Sequence, residues 1–380
     1  MRIMELVSVD GCIAFDLDCP VSAGGTRLAP DVTREEAGLL ARAMTYKLAV
    51  LGERIGGAKA VLRASPADRA GTVARFCREI APLVEKGTFL TSSDLGTRTQ
   101  DFAPLPGYRP DSIMHGEDGG ELVDTVVTGL GVVVAAGTAL GGLDGRTLAV
   151  EGFGKVGSAV VREAARRGAR LVALSTLHGC VIDPAGLDVA ALEELRAEHG
   201  DACVTRLGLP VLPPEALYEV AADVLVPGAR TGALSARRAA TVRAAVVAPA
   251  ANVPYTARGL RTLGERGVVA LADFVCGAGA TIGYLAERAG TVSTADEVGH
   301  LVENRVAEIT AAALSHAEGP YTGACTLAQA FLTTWQPPPT PPLAPDTGTP
   351  RAGDGLCAGG GLWAGDGPER GGGGGRLLNG

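Results

Sequence analysis

Residues 146–176 read RTLAVEGFGKVGSAVVREAARRGARLVALST, which runs through a short apolar stretch, a glycine turn, an amphipathic stretch and a second apolar stretch. That order is strand, turn, helix, strand, one βαβ unit. The turn contains Gly152-x-Gly154-x-x-Gly157, set directly after TLAV and opening the helical stretch. In that setting the glycines let a backbone approach a pyrophosphate at the positive end of a helix. Phe153, Lys155 and Val156 complete the turn, so residues 152 to 157 form the expected cofactor cradle. An NAD-binding unit ordinarily places Asp or Glu about 20 residues further on, against the ribose 2'-hydroxyl. Here that place holds Ser175-Thr176, with His178 nearby. With no carboxylate to repel a 2'-phosphate, both NAD and NADP stay open, and Thr176 is the residue expected beside the ribose.

Outward from this unit, apolar runs recur in ADVLVPGA (222–229), AAVVAPAAN (244–252) and GVVALADF (267–274), alternating with helix-like stretches. A parallel sheet covered on both faces requires that alternation. The expected fold class is therefore α/β with a doubly wound, Rossmann-like dinucleotide-binding domain. A chain of 380 residues exceeds the size at which single cores stop growing, about 250–300 residues, so a second domain is expected. Residues 33–51 open with Thr33 and Glu36 in a capping-box pattern and carry Leu40, Ala43, Met44 and Leu51 at helical spacing. Lys47 falls inside that apolar stripe. From Gln336 to Gly380 the chain is rich in proline and glycine, with too few apolar residues to offset the entropy of ordering, and a disordered tail is expected there.

The formal charge is -8 and the basic residues are scattered, which disfavours nucleic acid and anionic membrane surfaces as partners. Eight cysteines show no metal-type spacing and read as reduced, mostly buried thiols. The most apolar run, LGVVVAAGTAL from Leu130, is short and interrupted by glycine, whereas a bilayer span needs about 20 residues. With no signal pattern at the N-terminus, a cytoplasmic protein is expected.

Three titratable residues stand in unusual settings: Lys47 on an apolar helix face, Lys59 after the pair Gly56-Gly57, and Asp94 in FLTSSDLGT. A buried amine has a depressed pKa and can serve as a base near neutral pH. The stretches GGTRLAPDVTREEAGLLARAMTYKLAVLGERIGGAKAVLRASP, TSSDLGTRTQDF, VEGFGKVG and ADFVCGAGATIGY occur in that order. Together, over about residues 11 to 290, they resemble the glutamate/leucine/phenylalanine/valine dehydrogenases, on the leucine/phenylalanine/valine side of that family.

The resemblance implies an N-terminal α/β substrate domain over residues 1–127, completed by C-terminal helices over 285–335, and a dinucleotide-binding domain over 128–284. It implies NAD(P)-dependent, reversible oxidative deamination of an L-amino acid to its 2-oxo acid and ammonia in the cleft between them, by a homo-oligomer. Lys47 would hold the α-carboxylate, with Gly25 of the GG-x-R motif beside the substrate; Lys59 would be the catalytic lysine and Asp94 the proton shuttle to the amine. Thr128 would lie by the nicotinamide amide and Asn252 near both substrate and cofactor. A side chain at Gly56 or Gly57 would crowd the bound amino acid.

Glutamate-specific relatives place a lysine before GG-x-R and a serine after N-A-G-G; here those places hold Ala23 and Gly283. Neither pairs a carboxylate, so an uncharged, apolar substrate is expected. Leu48, Gly277, Pro249 and Glu53 also depart from the family pattern. Two alternatives follow from those departures: an unusual amino acid as substrate in a biosynthetic pathway, or a cofactor-binding sensor or partner that has lost turnover.

Overall fold

The computed structural model describes residues 1–346. The first sheet is built from β1 (Arg2–Glu5), β2 (Gly11–Phe15), β3 (Ser22–Leu28), β4 (Gly56–Leu62) and β5 (Phe89–Ser93), ordered β1-β2-β4-β3-β5. β3, β4 and β5 run parallel, while β1 and β2 are antiparallel additions at one edge. α1 (Arg34–Val50) and α2 (Arg69–Glu85) make the crossovers between the parallel strands, as parallel connections require.

α1 starts where its sequence says it should: Thr33 is extended and its hydroxyl accepts from Glu36 N–H at 3.1 Å. The reciprocal half of the capping box is not made, because the Glu36 carboxylate is drawn to Arg27 instead, 2.7 Å away. Gly56-Gly57 is no bend, since residues 56 to 62 form an unbroken strand. A β-carbon on Gly57 would lie 2.0 Å from Ala41 O and 2.2 Å from Thr45 N, and one on Gly56 2.5 Å from Cys19 Sγ. Gly57 therefore lets β4 lie directly against α1, and Gly56 leaves room for Cys19 and Ser22; the pair does not make room for a substrate, as the sequence had suggested.

A short hairpin, β6 (Glu117–Asp118) and β7 (Glu121–Leu122), leads into α3 (Val123–Leu140). Among the described residues α3 alone is long and apolar enough for a membrane span, longer than the glycine-broken run suggested. It is an interior helix here: Val132, Val133, Ala135 and Ala136 are buried in the larger core, and a β-carbon on Gly129 would lie 2.7 Å from Ala159 Cβ of the next helix.

The second sheet is ordered β10-β9-β8-β11-β12-β13, from β8 (Thr147–Glu151), β9 (Arg170–Thr176), β10 (Gly179–Ile182), β11 (Val224–Val226), β12 (Val246–Val247) and β13 (Val269–Ala270). All pairs are parallel except β9 with β10. α4 (Lys155–Arg166), α5 (Val189–His199), α6 (Ala236–Ala239) and α7 (Ala257–Glu265) are interspersed among the strands. The chain winds one way from β8 to β9 and the other way to β11, so the ends of β8 and β11 form the switch point where doubly wound sheets bind ligands.

α8 (Asp273–Cys276), α9 (Gly279–Ala289), α10 (Ala295–Leu314) and α11 (Pro320–Leu332) follow, and α11 returns to pack on α1. Residues 336–346 correct the expectation of disorder from Gln336 onward. Tyr46 Oη donates to Pro339 O at 2.6 Å, Arg42 donates to Thr340, Tyr321 Oη donates to Pro342 O, and Ala344 N–H donates to Tyr255 O. The rest of the expected tail lies outside the described residues.

Candidate active site

Parallel pairing of β3 with β4 and β5 brings the charged residues together. Gly25 pairs with Ser92 and Thr26 with Ser93, so Asp94 emerges from β5 beside the end of β3. Lys59, on the central strand β4, places its Nζ 2.6 Å from Asp94 Oδ2. Arg27 Nε donates to the same oxygen at 3.0 Å, and its Nη1 donates to Glu36 at 2.7 Å. A β-carbon on Gly25 would stand 3.1 Å from Asp94 Cβ and 3.4 Å from Lys59 Nζ, so Gly25 forms the ledge against which both groups lie.

Burial pushes the Lys59 ammonium down from its ordinary pKa; Asp94 pulls against that shift and Arg27 adds to it. Burial would raise the Asp94 carboxyl, but Lys59 and Arg27 outweigh it and hold Asp94 well below the usual carboxylate range. Lys47, in the last turn of α1 and only 7% exposed, donates from Nζ to Gly277 O at 2.6 Å. Its pKa is lowered to about 8, chiefly by burial, with Asp273 opposing the shift and Lys59 adding to it. A β-carbon on Gly277 would lie 3.7 Å from Lys47 Nζ. The departure at 277 thus leaves the lysine facing a backbone carbonyl where a larger residue would have presented a side chain.

The glycine turn after β8 is tight and leaves the start of α4 uncovered. Gly152 sits at φ +88°, which favours glycine. A β-carbon on Gly157 would collide with Gly152 O at 2.1 Å, whereas one on Gly154 would meet nothing within 4 Å. Gly154 caps α4 without any side-chain hydrogen bond, so the first N–H groups of that helix face open space and can take an anion. Lys155 is exposed at the helix start, Val156 is half-buried, and Phe153 is buried with the Arg196 guanidinium 5.8 Å above its ring. The nicotinamide-cofactor reading of this turn fits the residues present.

Thr176 lies at the end of β9 as expected, but its hydroxyl turns inward, donating to Asp201 O at 2.7 Å and accepting from His178 N–H at 3.2 Å. It braces the β9–β10 turn, where Leu177 and His178 are exposed. Thr128, in the second turn of α3, donates its hydroxyl to Asp124 O at 2.7 Å. The start of α9 packs on the same turn, since a β-carbon on Gly279 would lie 1.8 Å from Val127 O. Asn252 lies after β12, next to Val253, the one non-glycine residue with positive φ among those described.

The structure adds residues to which sequence reasoning gave no part. Arg27 was visible in the GG-x-R pattern, and Asp273 as a lone charge in an apolar run; Met114 had no signal at all. A β-carbon on Gly283 would lie 2.5 Å from both Met114 Sδ and Met114 Cε, and 3.0 Å from Val298 Cγ1. The space that a side chain at Gly283 would take is therefore filled by the Met114 thioether.

Residues 119–333 match the family model of Glutamate/Leucine/Phenylalanine/Valine dehydrogenase, and residues 15–106 that of the Glu/Leu/Phe/Val dehydrogenase dimerisation domain. The chain is 32% identical over 282 residues to a glutamate dehydrogenase of Thermotoga maritima, covering 69% of this chain and 68% of that one. It is 29% identical to an NAD-specific glutamate dehydrogenase of Staphylococcus aureus, covering 69% and 67%. Among solved structures it resembles the leucine-bound hetero-hexameric glutamate dehydrogenase of Thermus thermophilus, with TM-score 0.74, 28% identity and 88% of each chain covered. It shares its fold with L-tryptophan dehydrogenase of Nostoc punctiforme, with TM-score 0.58, 23% identity, and 88% and 96% covered.

Proposed function

Since the chain belongs to the glutamate/leucine/phenylalanine/valine dehydrogenase family, we propose that it deaminates an uncharged, apolar L-amino acid to the 2-oxo acid and ammonia, reversibly, using Lys59, Asp94 and Lys47 as its working groups. The observation that carries this reading is the buried cluster itself. Two amines and a carboxylate meet at one end of the first sheet, with Lys59 2.6 Å from Asp94 and Lys47 reaching across to Gly277.

The nicotinamide cofactor, when bound, supplies the acceptor for the hydride that leaves the substrate α-carbon. The chain's own groups bind, orient and move protons. Lys47, as ammonium, fixes the α-carboxylate. Lys59, whose neutral form is favoured by burial, takes a proton from the water that attacks the α-carbon of the iminium. Asp94 exchanges a proton with the departing nitrogen, which leaves as ammonia. Gly25 allows the α-carbon to approach both, and Asn252 orients substrate against cofactor.

The apolar preference rests on Ala23 and on the filled seat at Gly283. A substrate carboxylate placed there would lose its water without gaining a partner, at a cost of roughly several kcal/mol. We propose the same of assembly: the dimerisation-domain match supports a homo-oligomer. The test is NAD and NADP reduction across a panel of amino acids, with Lys59→Ala as control. Turnover on leucine, valine or phenylalanine that Lys59→Ala abolishes is expected. A higher kcat/KM for glutamate than for any of these would overturn the substrate class, and turnover surviving in Lys59→Ala would overturn the mechanism. Cofactor binding without turnover on any amino acid would support a sensor.

A further inference from the structure

Asp273 opens α8 and is almost fully buried, 2% exposed. One oxygen, Oδ2, accepts from Val253 N–H at 2.8 Å, while Oδ1 is buried without a hydrogen-bond partner among the described residues. The second fact is the unusual one, because a buried carboxylate ordinarily has its lone pairs satisfied.

Val253 explains the first. It is β-branched, precedes Pro254, and has φ +50°. Positive φ is a genuine outlier for such a residue, and a following proline restricts it to extended conformations. Two hydrogen bonds hold it there: its N–H to Asp273, and its carbonyl accepting from Gly232 N–H at 2.8 Å. Its immediate neighbour is Asn252, so the bond to Asp273 fixes the direction of the Asn252 backbone.

The Asp273 carboxylate also acts on Lys47 through space. The turn that begins at Asp273 ends at Gly277, whose N–H donates to Asp273 O at 2.8 Å and whose carbonyl accepts from Lys47 Nζ at 2.6 Å. The other ionisable groups acting on Lys47 are Lys59 of β4, Asp94 after β5, and Cys276 of α8. Around Asp273 itself stand Tyr255, and Tyr321 and Cys325 of α11, all with pKa values raised by burial first and by Asp273 in addition. Lys47 is thus the cation among these neighbours of Asp273.

We propose that Asp273 is a positioning residue joining the two sides of the site: its Oδ2 holds Asn252 in place through Val253, and its charge keeps Lys47 protonated for the substrate carboxylate. The proposal rests on the roles given above to Lys47 and Asn252. Burial raises the Asp273 carboxyl to about 6, so it is ionised across the neutral and alkaline range in which Lys47 titrates.

The two functions separate by substitution. Asp273→Asn keeps an oxygen that can accept from Val253 N–H and removes the charge; Asp273→Ala removes both. Without the charge the Lys47 ammonium is lost at lower pH, so the pH above which KM for the amino acid rises should fall by on the order of one unit in Asp273→Asn. Asp273→Ala should show that shift together with a loss in kcat of about tenfold or more, as Asn252 loses its alignment. The experiment is a pH series of kcat and KM for wild type, both Asp273 variants and Lys47→Ala, with thermal melting of each. If Asp273→Ala does not fold, the KM profile of Asp273→Asn still decides. A KM profile for Asp273→Asn that superimposes on wild type, while Lys47→Ala raises KM, overturns the proposal. If Lys47→Ala leaves KM unchanged, it is the underlying reading of the site that fails.

Discussion

Two glycines in the first sheet predict opposite outcomes for the same substitution. In Gly57→Ala the new methyl would lie 2.0 Å from Ala41 O and 2.2 Å from Thr45 N, both backbone atoms of α1. No rotamer relieves that overlap, so strand and helix must separate by about 1 Å or more, which interdigitated cores resist. Gly25→Ala places its methyl 3.1 Å from Asp94 Cβ, 3.2 Å from Ser93 O and 3.4 Å from Lys59 Nζ, contacts that shifts of a few tenths of an ångström relieve. Overpacking of about 1–3 kcal/mol is offset in part by about 0.4–1 kcal/mol from the stiffer unfolded chain. A net loss of about 0–2.6 kcal/mol is expected, which a folded enzyme survives. Its kcat/KM should nevertheless fall about 100-fold, because the methyl occupies the ledge beside Lys59, the amine proposed as catalytic, and displacements near 1 Å carry penalties of that size. Urea denaturation and steady-state kinetics on the purified variants measure the two effects. A folded Gly25→Ala protein within threefold of wild-type kcat/KM would refute the placement of substrate against Gly25. A stable Gly57→Ala protein would refute the packing of Gly57 against α1.

Lys47 has its pKa lowered to about 8, first by burial; its protonated form, the one proposed to bind the carboxylate, is present below that pH and lost above it, so KM for the amino acid should climb above about pH 8 in initial-rate measurements. Gly283→Ser should destabilise the protein by about 1–3 kcal/mol in a denaturant titration, without conferring activity on glutamate, because Met114 already fills the seat. Arg42→Ala should cost about 3–5 kcal/mol by the same measurement. It strands the Asp16 carboxylate, whose side chain is 0% exposed and 2.7 Å from Arg42 Nε.

How much of this was legible in the sequence depends on how local each cause is. The β8–α4–β9 unit was readable because strand, turn and helix signals occur within one stretch, and Gly152 has the positive φ and Gly157 the close packing that so tight a turn needs. Lys47 was readable as an anomaly, a charge in an apolar stripe, and is indeed buried. The inward turn of Thr176 was not readable, since its acceptor, Asp201 O, lies 25 positions along the chain. Nor was the role of Gly56-Gly57: a glycine pair reads equally as a bend, a substrate clearance or a close approach, and only α1 beside Gly57 and Cys19 beside Gly56 decide. Met114 belongs to the same class, because no local pattern connects it to Gly283, 169 positions away by subtraction of their numbers.

Residues 336–346 show why composition failed where it did. Counting apolar side chains measures the burial that can offset conformational entropy, and by that count QPPPTPPLAPD falls short. Proline changes both sides of the comparison. Its φ is already restricted, so less entropy is lost on ordering, and with no N–H it presents carbonyls that need only donors. The folded body supplies them: Tyr46 Oη for Pro339 O, Arg42 Nη1 for Thr340 O and Tyr321 Oη for Pro342 O. At Ala344 the segment donates in turn to Tyr255 O, and Arg258 N–H meets Asp346 at 3.2 Å. The segment therefore runs from α1, at the residue preceding Lys47, to the first turn of α7 beside the second sheet. What composition marked as the least structured part of the chain ties the helix bearing Lys47 to the half of the molecule that carries the glycine turn.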